Sequence, residues 1–528
     1  MQKFRIKFRL RFFTFFALSF ALFLISPAQA KPWPRPKLVL LLVIDQFRSD
    51  YLIRLENQFL PKKQKNGEIG GFGYLLAESA YFPFAKYDLL QSVTAAGHTT
   101  IVTGSYPYQA GIPLNAWYNS QTGRRENCME DAKSPLVGVD SPADSGRSPK
   151  NLIGTTVGDE LKNSSPKSKV ISISLKDRSA ILMGGHRADL ALWFDQDARG
   201  WVTSRYYAPD LPGWVQKINL KLQQTEFKKS PKVIDIEAAP RPLGIDMTVS
   251  MVQEALRAYS LGKGPQTDFL AVSFSTHDFV GHQQGPHSKE IEEVTLLEDR
   301  AISKILNSIQ QTIPGGLANT LVLLTGDHGV APTAEWSKQN HLEGGTILRK
   351  TQKEILTHHL NERFGKLKDG ASWIADSTSL NFYIHPEAIA SKKLERKEVE
   401  EEIRKVLRIQ PEIASVITRS DILEKKFPIG MIERQALHSY YPSRSGDVIA
   451  IPKPFFIAEG PNPGTTEHMT GYSYDRTVPL LFLGPSIRPG IYSSAEMIDL
   501  APTLAFLLGV LPPALSEGRV LSEAVNLK

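Results

Sequence analysis

The 528-residue sequence has a single cysteine, Cys128, so no disulfide can form within the chain. Its stability must therefore come from a hydrophobic core or from bound ions. With 41% hydrophobic and 22% charged residues, the composition is that of a soluble globular protein and excludes a disordered one. The chain is too long for one minimal core and too short for three independent domains.

The first 30 residues lack acidic side chains but carry five basic ones. A short apolar run, "FFALSFALFLIS", follows and leads into "PAQA", which is the pattern of a secretory signal peptide cleaved after Ala30. The run falls short of the roughly 20 apolar residues that a membrane span needs, which disfavours an uncleaved anchor. We therefore predict an exported bacterial protein, periplasmic or secreted, with no stable membrane span after cleavage.

The basic character of the chain gives no support for a nucleic-acid partner. When the five basic residues of the N-terminal segment are left out, the net charge falls from +7 to +2. The excess of positive charge is thus largely a property of the targeting signal. We predict no specific binding to nucleic acid.

Three apolar runs, "KLVLLLVIDQ", "DFLAVSFSTHD" and "NTLVLLTGDHG", each lead into an acidic residue. Strands this apolar are buried on both faces, as in a parallel sheet covered by helices. Helical patterns such as "DMTVSMVQEALRAYSLG" lie between them. This alternation predicts an α/β fold with a doubly wound, mainly parallel sheet flanked by helices. Ligands of such sheets bind at the carboxyl ends of the strands, where the acidic residues fall.

Two segments interrupt the alternation of strands and helices. Residues from about 112 to 240 are rich in Gly, Pro, Ser and aromatic residues, and residues from about 345 to 460 include the charged helix "SKKLERKEVEEEIRKVLRI". We interpret both as insertions that cap the carboxyl edge of the sheet. The predicted organisation is a signal peptide over residues 1–30 and one domain over residues 31–528 that carries both insertions.

Acidic residues and histidines gather where the predicted strands end, and a C-terminal stretch, "GTTEHMTGYSYDRTVPLLFLG", adds one more. The six are Asp45, Asp278, His282, Asp327, His328 and His468. Mixed Asp and His ligation suits zinc, and six ligands divide into two sets of three with an open position each. Two such ions about 4 Å apart meet the requirement of two-metal catalysis. Each residue alone also has an ordinary interpretation, such as a helix cap or a core histidine.

Seven stretches resemble the alkaline phosphatase superfamily, specifically its type I phosphodiesterase/nucleotide pyrophosphatase branch. They are "VIDQFRSDY", "VTAAGHTTIVTGSYP", "IPLNAWY", "ISLKDRSAI", "DFVGH", "TGDHG" and "GTTEHMTGYSYDRTVPLL", and they span about residues 37–490. Within the branch, the chain is most similar to the phosphate-irrepressible bacterial alkaline phosphatases that use a threonine nucleophile. The resemblance implies an alkaline phosphatase-like catalytic domain that hydrolyses phosphate monoesters through a phosphothreonine intermediate.

The resemblance also implies roles for individual residues. Thr94 would be the nucleophile, and Asn115 would contact a phosphoryl oxygen. Lys176 and Arg178 match a K-x-R pair that distinguishes monoesterases from their diesterase relatives. Two zinc ions would be bound, one by Asp278, His282 and His468, and the other, beside the nucleophile, by Asp45, Asp327 and His328.

The K-x-R pair has a physical rationale. A phosphate monoester dianion has one more charged oxygen than a diester, and a lysine together with a forked arginine stabilises that oxygen. The alternative is a phosphodiesterase or nucleotide pyrophosphatase on the same two-metal core. A sulfatase is disfavoured because the sequence lacks a C-x-P-x-R run, and a purely binding protein would not need the threonine. We expect small-molecule phosphate monoesters as substrates and a monomeric enzyme.

Neighbouring residues offer weaker alternatives. The hydroxyls of Ser92 and Thr99 compete as nucleophile, although the register of the motif disfavours both. We expect His98 to be a packed structural histidine. We expect His277 to face away from the metals, because consecutive residues of a strand face opposite sides. Met469 stands where a glycine is usual in the family.

Overall fold

A sheet of ten strands forms the centre of the protein. The computed structural model describes residues 35–139, 145–225, 243–425, 430–459 and 466–526. The predicted signal peptide, residues 1–30, lies outside the described residues. From Pro36 onward the chain forms one compact unit.

The strands of the described residues are numbered here in chain order. They are β1 (Leu38–Ile44), β2 (Ala80–Lys86), β3 (Ala116–Asn119), β4 (Arg124–Asn127), β5 (Leu136–Val137), β6 (Val170–Ser174), β7 (Leu190–Asp195), β8 (Gly200–Ser204), β9 (Asp268–Phe274), β10 (Thr320–Gly326), β11 (Gly345–Ile347), β12 (Ile374–Thr378), β13 (Asn381–Ile384), β14 (Ile413–Thr418), β15 (Val448–Pro452), β16 (Phe456–Ala458), β17 (Thr477–Leu483) and β18 (Gly490–Ile491).

The α-helices of the same residues are numbered in the same way. They are α1 (Ser49–Arg54), α2 (Phe72–Glu78), α3 (Thr94–Thr103), α4 (Pro107–Ala110), α5 (Val157–Ser164), α6 (Asp177–Gly184), α7 (Gly213–Thr225), α8 (Leu243–Ala258), α9 (Thr276–Gln284), α10 (Lys289–Thr312), α11 (Ala334–Gln339), α12 (Arg349–Phe364), α13 (Pro386–Lys392), α14 (Arg396–Arg408), α15 (Arg419–Glu424), α16 (Met431–Ser439), α17 (Ser473–Arg476) and α18 (Leu500–Leu508). Within the described ranges, no helix has the length and apolar character needed to cross a bilayer.

The middle of the large sheet is parallel. Its ten strands run in the order β18-β2-β17-β10-β1-β9-β6-β7-β8-β5, and β10, β1, β9, β6 and β7 pair in parallel. Antiparallel pairs join this middle part to β17 on one side and to β8 on the other. The predicted mainly parallel α/β sheet flanked by helices is confirmed in its central strands, while the whole sheet is mixed.

Burial on both faces explains why β1 is apolar throughout. All seven residues of β1 are inaccessible to solvent. Leu38, Leu40, Leu42 and Ile44 belong to one core cluster with residues of helices α8 and α10, and the alternate residues face the other side of the sheet. Burying each such side chain contributes roughly 1.5–3 kcal/mol of transfer free energy.

The sequence predicts that the segment from about 112 to 240 caps the sheet, but part of this segment contributes strands to the sheet itself. Strands β6, β7 and β8 of this segment lie within the large sheet, with β6 next to β9. These strands are short and include serine, threonine and aspartate. They therefore lack the continuous apolar run that marks β1, β9 and β10.

The segment from about 345 to 460 builds a second sheet of its own. Its strands run antiparallel in the order β12-β13-β15-β14. A separate core packs beneath them, with Leu360, Trp373, Phe382 and Ile403 among its buried members. In the charged helix α14, Val399, Ile403 and Leu407 are buried at a four-residue spacing, which gives the helix one apolar face, and Glu400 and Glu402 beside them are buried as well.

The single thiol is expected to be unreactive in the folded protein. Cys128 is fully buried in an apolar cluster with Leu114, Trp117 and Met129, and burial raises the pKa of its thiol to about 12. Because the thiolate is the reactive form, Ellman's reagent at pH 8 should modify no thiol in native protein and one per chain in guanidinium. Rapid modification of the native protein would contradict the burial.

Candidate active site

Two neighbouring strands place three candidate ligands at one edge of the sheet. Asp45 directly follows β1, and Asp327 and His328 directly follow β10. The strands pair in parallel, and the last residue of β1 is opposite the last residue of β10. The three side chains are therefore neighbours at the carboxyl edge, and all are fully buried.

The next strand, β9, leads into a helix that supplies two more candidate ligands. Asp278 and His282 are one turn apart in α9, and their Oδ1 and Nε2 atoms are 3.2 Å from each other. His277 faces away from them, as expected. The expected reason, alternation along a strand, was wrong, because residues Thr276–Gln284 form a helix. His277 instead pairs with Glu298 at 2.9 Å, both side chains being fully buried.

His468 reaches the same edge from the opposite direction. Unlike the other candidate ligands, it lies before a strand of the large sheet, since its segment precedes α17 and β17. Because β17 is antiparallel to β10, the start of β17 lies beside the end of β10. The next residue, Met469, has a φ of +77°, a left-handed conformation that costs a non-glycine residue roughly 1–2 kcal/mol. A glycine would adopt this conformation without that cost.

The six residues form two clusters, in each of which one ligand atom per residue lies within 4.8 Å of the others. Cluster A is Asp278, His282 and His468, and cluster B is Asp45, Asp327 and His328. The rings of His328 and His468 have their centroids 4.1 Å apart, so the two clusters adjoin. The grouping is the one that the sequence analysis expected for two metal ions.

Each histidine of the two clusters has its Nδ1 atom against a backbone carbonyl. The partners are the carbonyl of Thr466 for His282 at 3.1 Å, that of Ser92 for His468 at 2.6 Å and that of Gly329 for His328 at 2.9 Å. Only an N–H can donate to a carbonyl, so the Nδ1 atoms carry the proton. In the neutral ring the Nε2 atom then presents its lone pair, as metal-ligating histidines do.

Cluster B also contains polar atoms that the protein itself does not satisfy. Asp45 Oδ1, Asp327 Oδ2 and His328 Nε2 are buried and form no hydrogen bond. Their contacts are ionic: Asp45 Oδ1 is 3.4 Å from His328 Nε2, and Asp327 Oδ2 is 3.1 Å from His98 Nδ1. Leaving such atoms unpaired costs free energy, and a cation bound among them would satisfy all three. The donor set and its unsatisfied atoms therefore fit a metal ion.

One aspartate in each cluster is held charged by its neighbours despite burial, whereas burial and the neighbouring histidines His328 and His282 lower the pKa of His468 well below its usual value. Burial tends to raise the pKa of Asp278, yet Lys176 and then His282 hold it well below its ordinary value. Burial tends to lower the pKa of His282, yet Asp278 raises it to about 10. In cluster B, burial is likewise outweighed, and His328 lowers the pKa of Asp327 to about 2. The clusters therefore attract positive charge, and a metal ion would displace the proton of His282.

Lys176 lies between the two clusters. Its Nζ atom is 2.6 Å from Asp45 Oδ2 and 2.6 Å from Asp278 Oδ2. Burial tends to lower the pKa of this lysine, but Asp278 and Asp45 raise it. The structure thus places Lys176 inside the site, where its contacts are carboxylates of both clusters.

Gln46 is a residue of the site that the sequence analysis missed. Its backbone N–H donates to Asp327 Oδ1 at 3.0 Å, and its side-chain amide donates to Asp278 Oδ1 at 2.9 Å. Its φ of +67° is unusual for a residue other than glycine and indicates local strain. Gln46 thereby orients one carboxylate of each cluster. In the sequence, only its position next to Asp45 sets it apart.

Thr94 begins helix α3 and lies beside both clusters. Two residues earlier, the Ser92 carbonyl accepts the hydrogen bond from His468 of cluster A. Three residues later, a Cβ on Gly97 would come 2.1 Å from the Asp327 carbonyl oxygen, so only glycine allows this close approach to cluster B. The Thr94 side chain is buried, as is all of α3.

His98 also links α3 to cluster B. Its Nδ1 atom is 2.8 Å from the Thr94 carbonyl and 3.1 Å from Asp327 Oδ2, and its Nε2 atom is 3.0 Å from Ser273 Oγ. The ring is fully buried. This agrees with the expected packed histidine and adds a contact to a candidate ligand.

Asn115 contacts the start of this helix, and Arg178 belongs to a helix that packs on it. Asn115 Oδ1 accepts a hydrogen bond from the Ala95 N–H at 2.9 Å, which leaves the amide N–H groups for a ligand. Arg178 is in the first turn of α6, and its buried Nε atom has no hydrogen-bond partner. Helices α3 and α6 pack against each other.

Comparison with known proteins identifies the family of the chain. Residues 39–473 match the family described as type I phosphodiesterase / nucleotide pyrophosphatase. The chain belongs to that family. It lies in the alkaline phosphatase superfamily, so the resemblance stated from the sequence is confirmed.

Named relatives cover nearly the whole chain. The sequence is 32% identical to alkaline phosphatase PafA of Elizabethkingia meningoseptica, over 93% of this chain and 95% of that protein. It is also 32% identical to alkaline phosphatase PhoV of Synechococcus elongatus, over 93% of each chain. A crystal structure of wild-type PafA superposes with a TM-score of 0.84 at 30% identity, over 93% of this chain and 99% of that one.

The two clusters make a measurable prediction about metal content. Protein loaded with zinc and then desalted should hold two ions per chain, and His468→Ala should hold one because cluster A loses a ligand. Removing a residue that only hydrogen-bonds a metal ligand typically weakens metal affinity roughly 10–100-fold, and removing the ligand itself should weaken it more. His358→Ala, at an exposed position of α12, is the matched control and should keep two ions. An unchanged count in His468→Ala, measured by elemental mass spectrometry, would contradict the assignment of cluster A.

Proposed function

We propose that the protein is an exported, zinc-dependent alkaline phosphatase that hydrolyses phosphate monoesters through a phosphothreonine intermediate. Its relatives make it an enzyme of the phosphoric monoester hydrolase class. The observation that supports the finer proposal is that Thr94 begins a buried helix whose neighbouring residues contact both clusters, Ser92 through His468 and Gly97 through Asp327. A purely binding site would have no use for a hydroxyl there.

In the proposed reaction, Thr94 Oγ attacks phosphorus in line with the leaving oxygen. A bond from Oγ to phosphorus forms, the bond to the leaving alcohol breaks, and the alcohol oxygen takes up a proton. Water then attacks the phosphothreonine, which releases phosphate and restores the hydroxyl. Zinc ions held by clusters A and B would make the hydroxyl more acidic and neutralise charge on the leaving oxygen.

The start of α3 supports binding of the phosphoryl group. The first N–H groups of a helix and its dipole favour an anion at this end. Asn115 is already held against this turn through the Ala95 N–H, and its amide N–H groups would donate to a non-bridging oxygen. The site therefore combines a nucleophile with oriented donors that need not rearrange as charge develops.

Lys176 and Arg178 support the monoesterase over the diesterase. The ammonium of Lys176 is within the site, and the guanidinium of Arg178, on the helix that packs against α3, has an unpaired Nε atom. These groups would neutralise the additional charged oxygen of a monoester, which a diester lacks. The alternative is a phosphodiesterase or nucleotide pyrophosphatase on the same core, which the family description favours.

The remaining features of the proposal rest on the sequence. Residues 1–30 would be a signal peptide for export to the periplasm or medium. Residues 31–528 would form one catalytic domain with the insertions described above. The substrates would be small-molecule phosphate monoesters, and the enzyme would work as a monomer.

Replacing the proposed nucleophile tests the covalent mechanism. Thr94→Ala should lower kcat for p-nitrophenyl phosphate by at least about a thousandfold, because no oxygen remains to attack phosphorus. It should still bind inorganic phosphate, and Thr94→Ser should retain turnover. Thr99→Ala removes another buried hydroxyl of the same helix and serves as the control. Acid quenching with labelled substrate should leave phosphate on Thr94 of the wild type. A wild type that binds phosphate but never turns over would favour a binding protein.

Substrate preference tests the role of the K-x-R pair. Zinc-loaded mature protein at alkaline pH should turn over p-nitrophenyl phosphate much faster than bis-p-nitrophenyl phosphate. Lys176→Ala/Arg178→Ala should lower kcat/KM for the monoester by at least about a hundredfold, because removing even one hydrogen-bond donor to the transition state typically has an effect of that size. The double substitution should lower kcat/KM for the diester less. Lys150→Ala, at a half-exposed position, is the control. Diester preference, or a monoester rate indifferent to the double substitution, would support the diesterase alternative.

A further inference from the structure

Arg444, which lies between α16 and β15, contacts the segment that carries Asn115. We infer that Arg444 is a positioning residue that holds the loop carrying Asn115 against the start of α3. The loop, residues 111–118, is called the Asn115 loop below. This inference rests on the proposed function, since Arg444 would act through a residue of that site.

Arg444 holds the beginning of the Asn115 loop through hydrogen bonds. Its Nη1 atom donates to the carbonyl of Gly111 and to that of Asn151, the latter at 2.7 Å. Gly111 has a φ of +80°, and a Cβ on it would come 2.8 Å from Arg444 Nη1. Glycine is therefore required both by the backbone conformation and by the close approach of the guanidinium.

The same guanidinium holds the end of the Asn115 loop through an aromatic ring. Arg444 Cζ is 5.0 Å from the ring centroid of Trp117 and 4.9 Å from that of Tyr441. Distances below about 6 Å are those of an attractive cation–π contact. Asn115 lies between Gly111 and Trp117 in sequence, so Arg444 contacts the loop on both sides of the asparagine.

A chain of hydrogen bonds connects Arg444 to Asn115 itself. Arg444 Nη2 donates to Asn151 Oδ1 at 3.3 Å, and Asn151 Nδ2 donates to the Cys128 carbonyl at 2.9 Å. The Cys128 N–H donates in turn to the Asn115 carbonyl at 3.0 Å. The side chain of Asn115 meets the Ala95 N–H at the other end. Hydrogen bonds to its backbone carbonyl and to its side-chain oxygen therefore fix the position of the Asn115 amide.

The guanidinium of Arg444 binds carbonyl oxygens and aromatic rings, and not a carboxylate. Within the described part of the chain, no carboxylate lies within ion-pair distance of its guanidinium, and burial lowers the pKa of the group. The backbone of Arg444 is anchored to the second sheet, because the hydroxyl of Tyr383 in β13 donates to its carbonyl at 2.9 Å. The second sheet is thereby connected, through Tyr383 and Arg444, to the Asn115 loop.

A double-mutant cycle separates a positioning role from a general structural one. We would measure kcat/KM for p-nitrophenyl phosphate with zinc-loaded Arg444→Met, Asn115→Ala and the double variant. Arg444→Met should lower kcat/KM at least about tenfold in the wild-type background and less than about twofold once Asn115 is gone. Arg408→Met, an exposed arginine at the end of α14, is the matched control and should change nothing.

A second variant guards against simple misfolding. Arg444→Lys keeps a cation near the two rings but lacks the fork that reaches both carbonyls. It should keep the wild-type melting temperature and share most of the loss seen in Arg444→Met. Recovery of full activity in the lysine variant would overturn the role of the forked hydrogen bonds.

The outcomes distinguish this inference from the proposed function. Equal losses from Arg444→Met in both backgrounds, or no loss from Asn115→Ala, would overturn the inference while the phosphatase stands. A wild type without monoester turnover would overturn the proposed function, and hydrogen exchange then decides the inference. Amide exchange of residues 111–118 should rise severalfold in Arg444→Met and not in Arg408→Met, and unchanged exchange would overturn it.

Discussion

Three carboxylates, those of Asp45, Asp278 and Asp327, are buried together at one edge of the sheet, and their negative charge governs the surroundings. Buried carboxylates are stable only when opposite charge or hydrogen-bond donors accompany them. The structure supplies Lys176 between two of them and Gln46 as a donor to two. The same concentration of charge makes the edge suitable for metal ions. Binding and folding are therefore linked at this site.

The sheet provides the rigid part of the site and the connections provide its chemistry. Parallel pairing aligns the ends of β10 and β1, so Asp45 and Asp327 are positioned by backbone hydrogen bonds. The groups proposed to meet the substrate lie on the start of α3, on the start of α6 and on the Asn115 loop. Packing of Gly97 on Asp327 joins the two parts with little room for adjustment. The proposed nucleophile, placed in this way, would need little reorganisation during reaction.

Sequence reasoning worked best where local patterns carry the information. The runs that became β1, β9 and β10 are apolar because they are buried on both faces, and this marks them in any window. It failed for β6, β7 and β8. These strands are short and partly polar, and their place in the sheet depends on pairing with neighbouring strands. It also expected a strand around His277, where the helix α9 places Asp278 and His282 one turn apart.

By itself, the sequence determined the family, the α/β class and the residue types of a candidate metal and phosphoryl site. Those features depend on hydrophobic period and on motifs whose spacing reflects local geometry. Only the tertiary structure decided which residues complete the site from elsewhere. His468 reaches it because β17 runs antiparallel to β10, while Gln46 and Arg444 contribute through contacts between segments that no local pattern records. Contacts between distant segments depend on the path of the whole chain, which a local window of sequence does not contain.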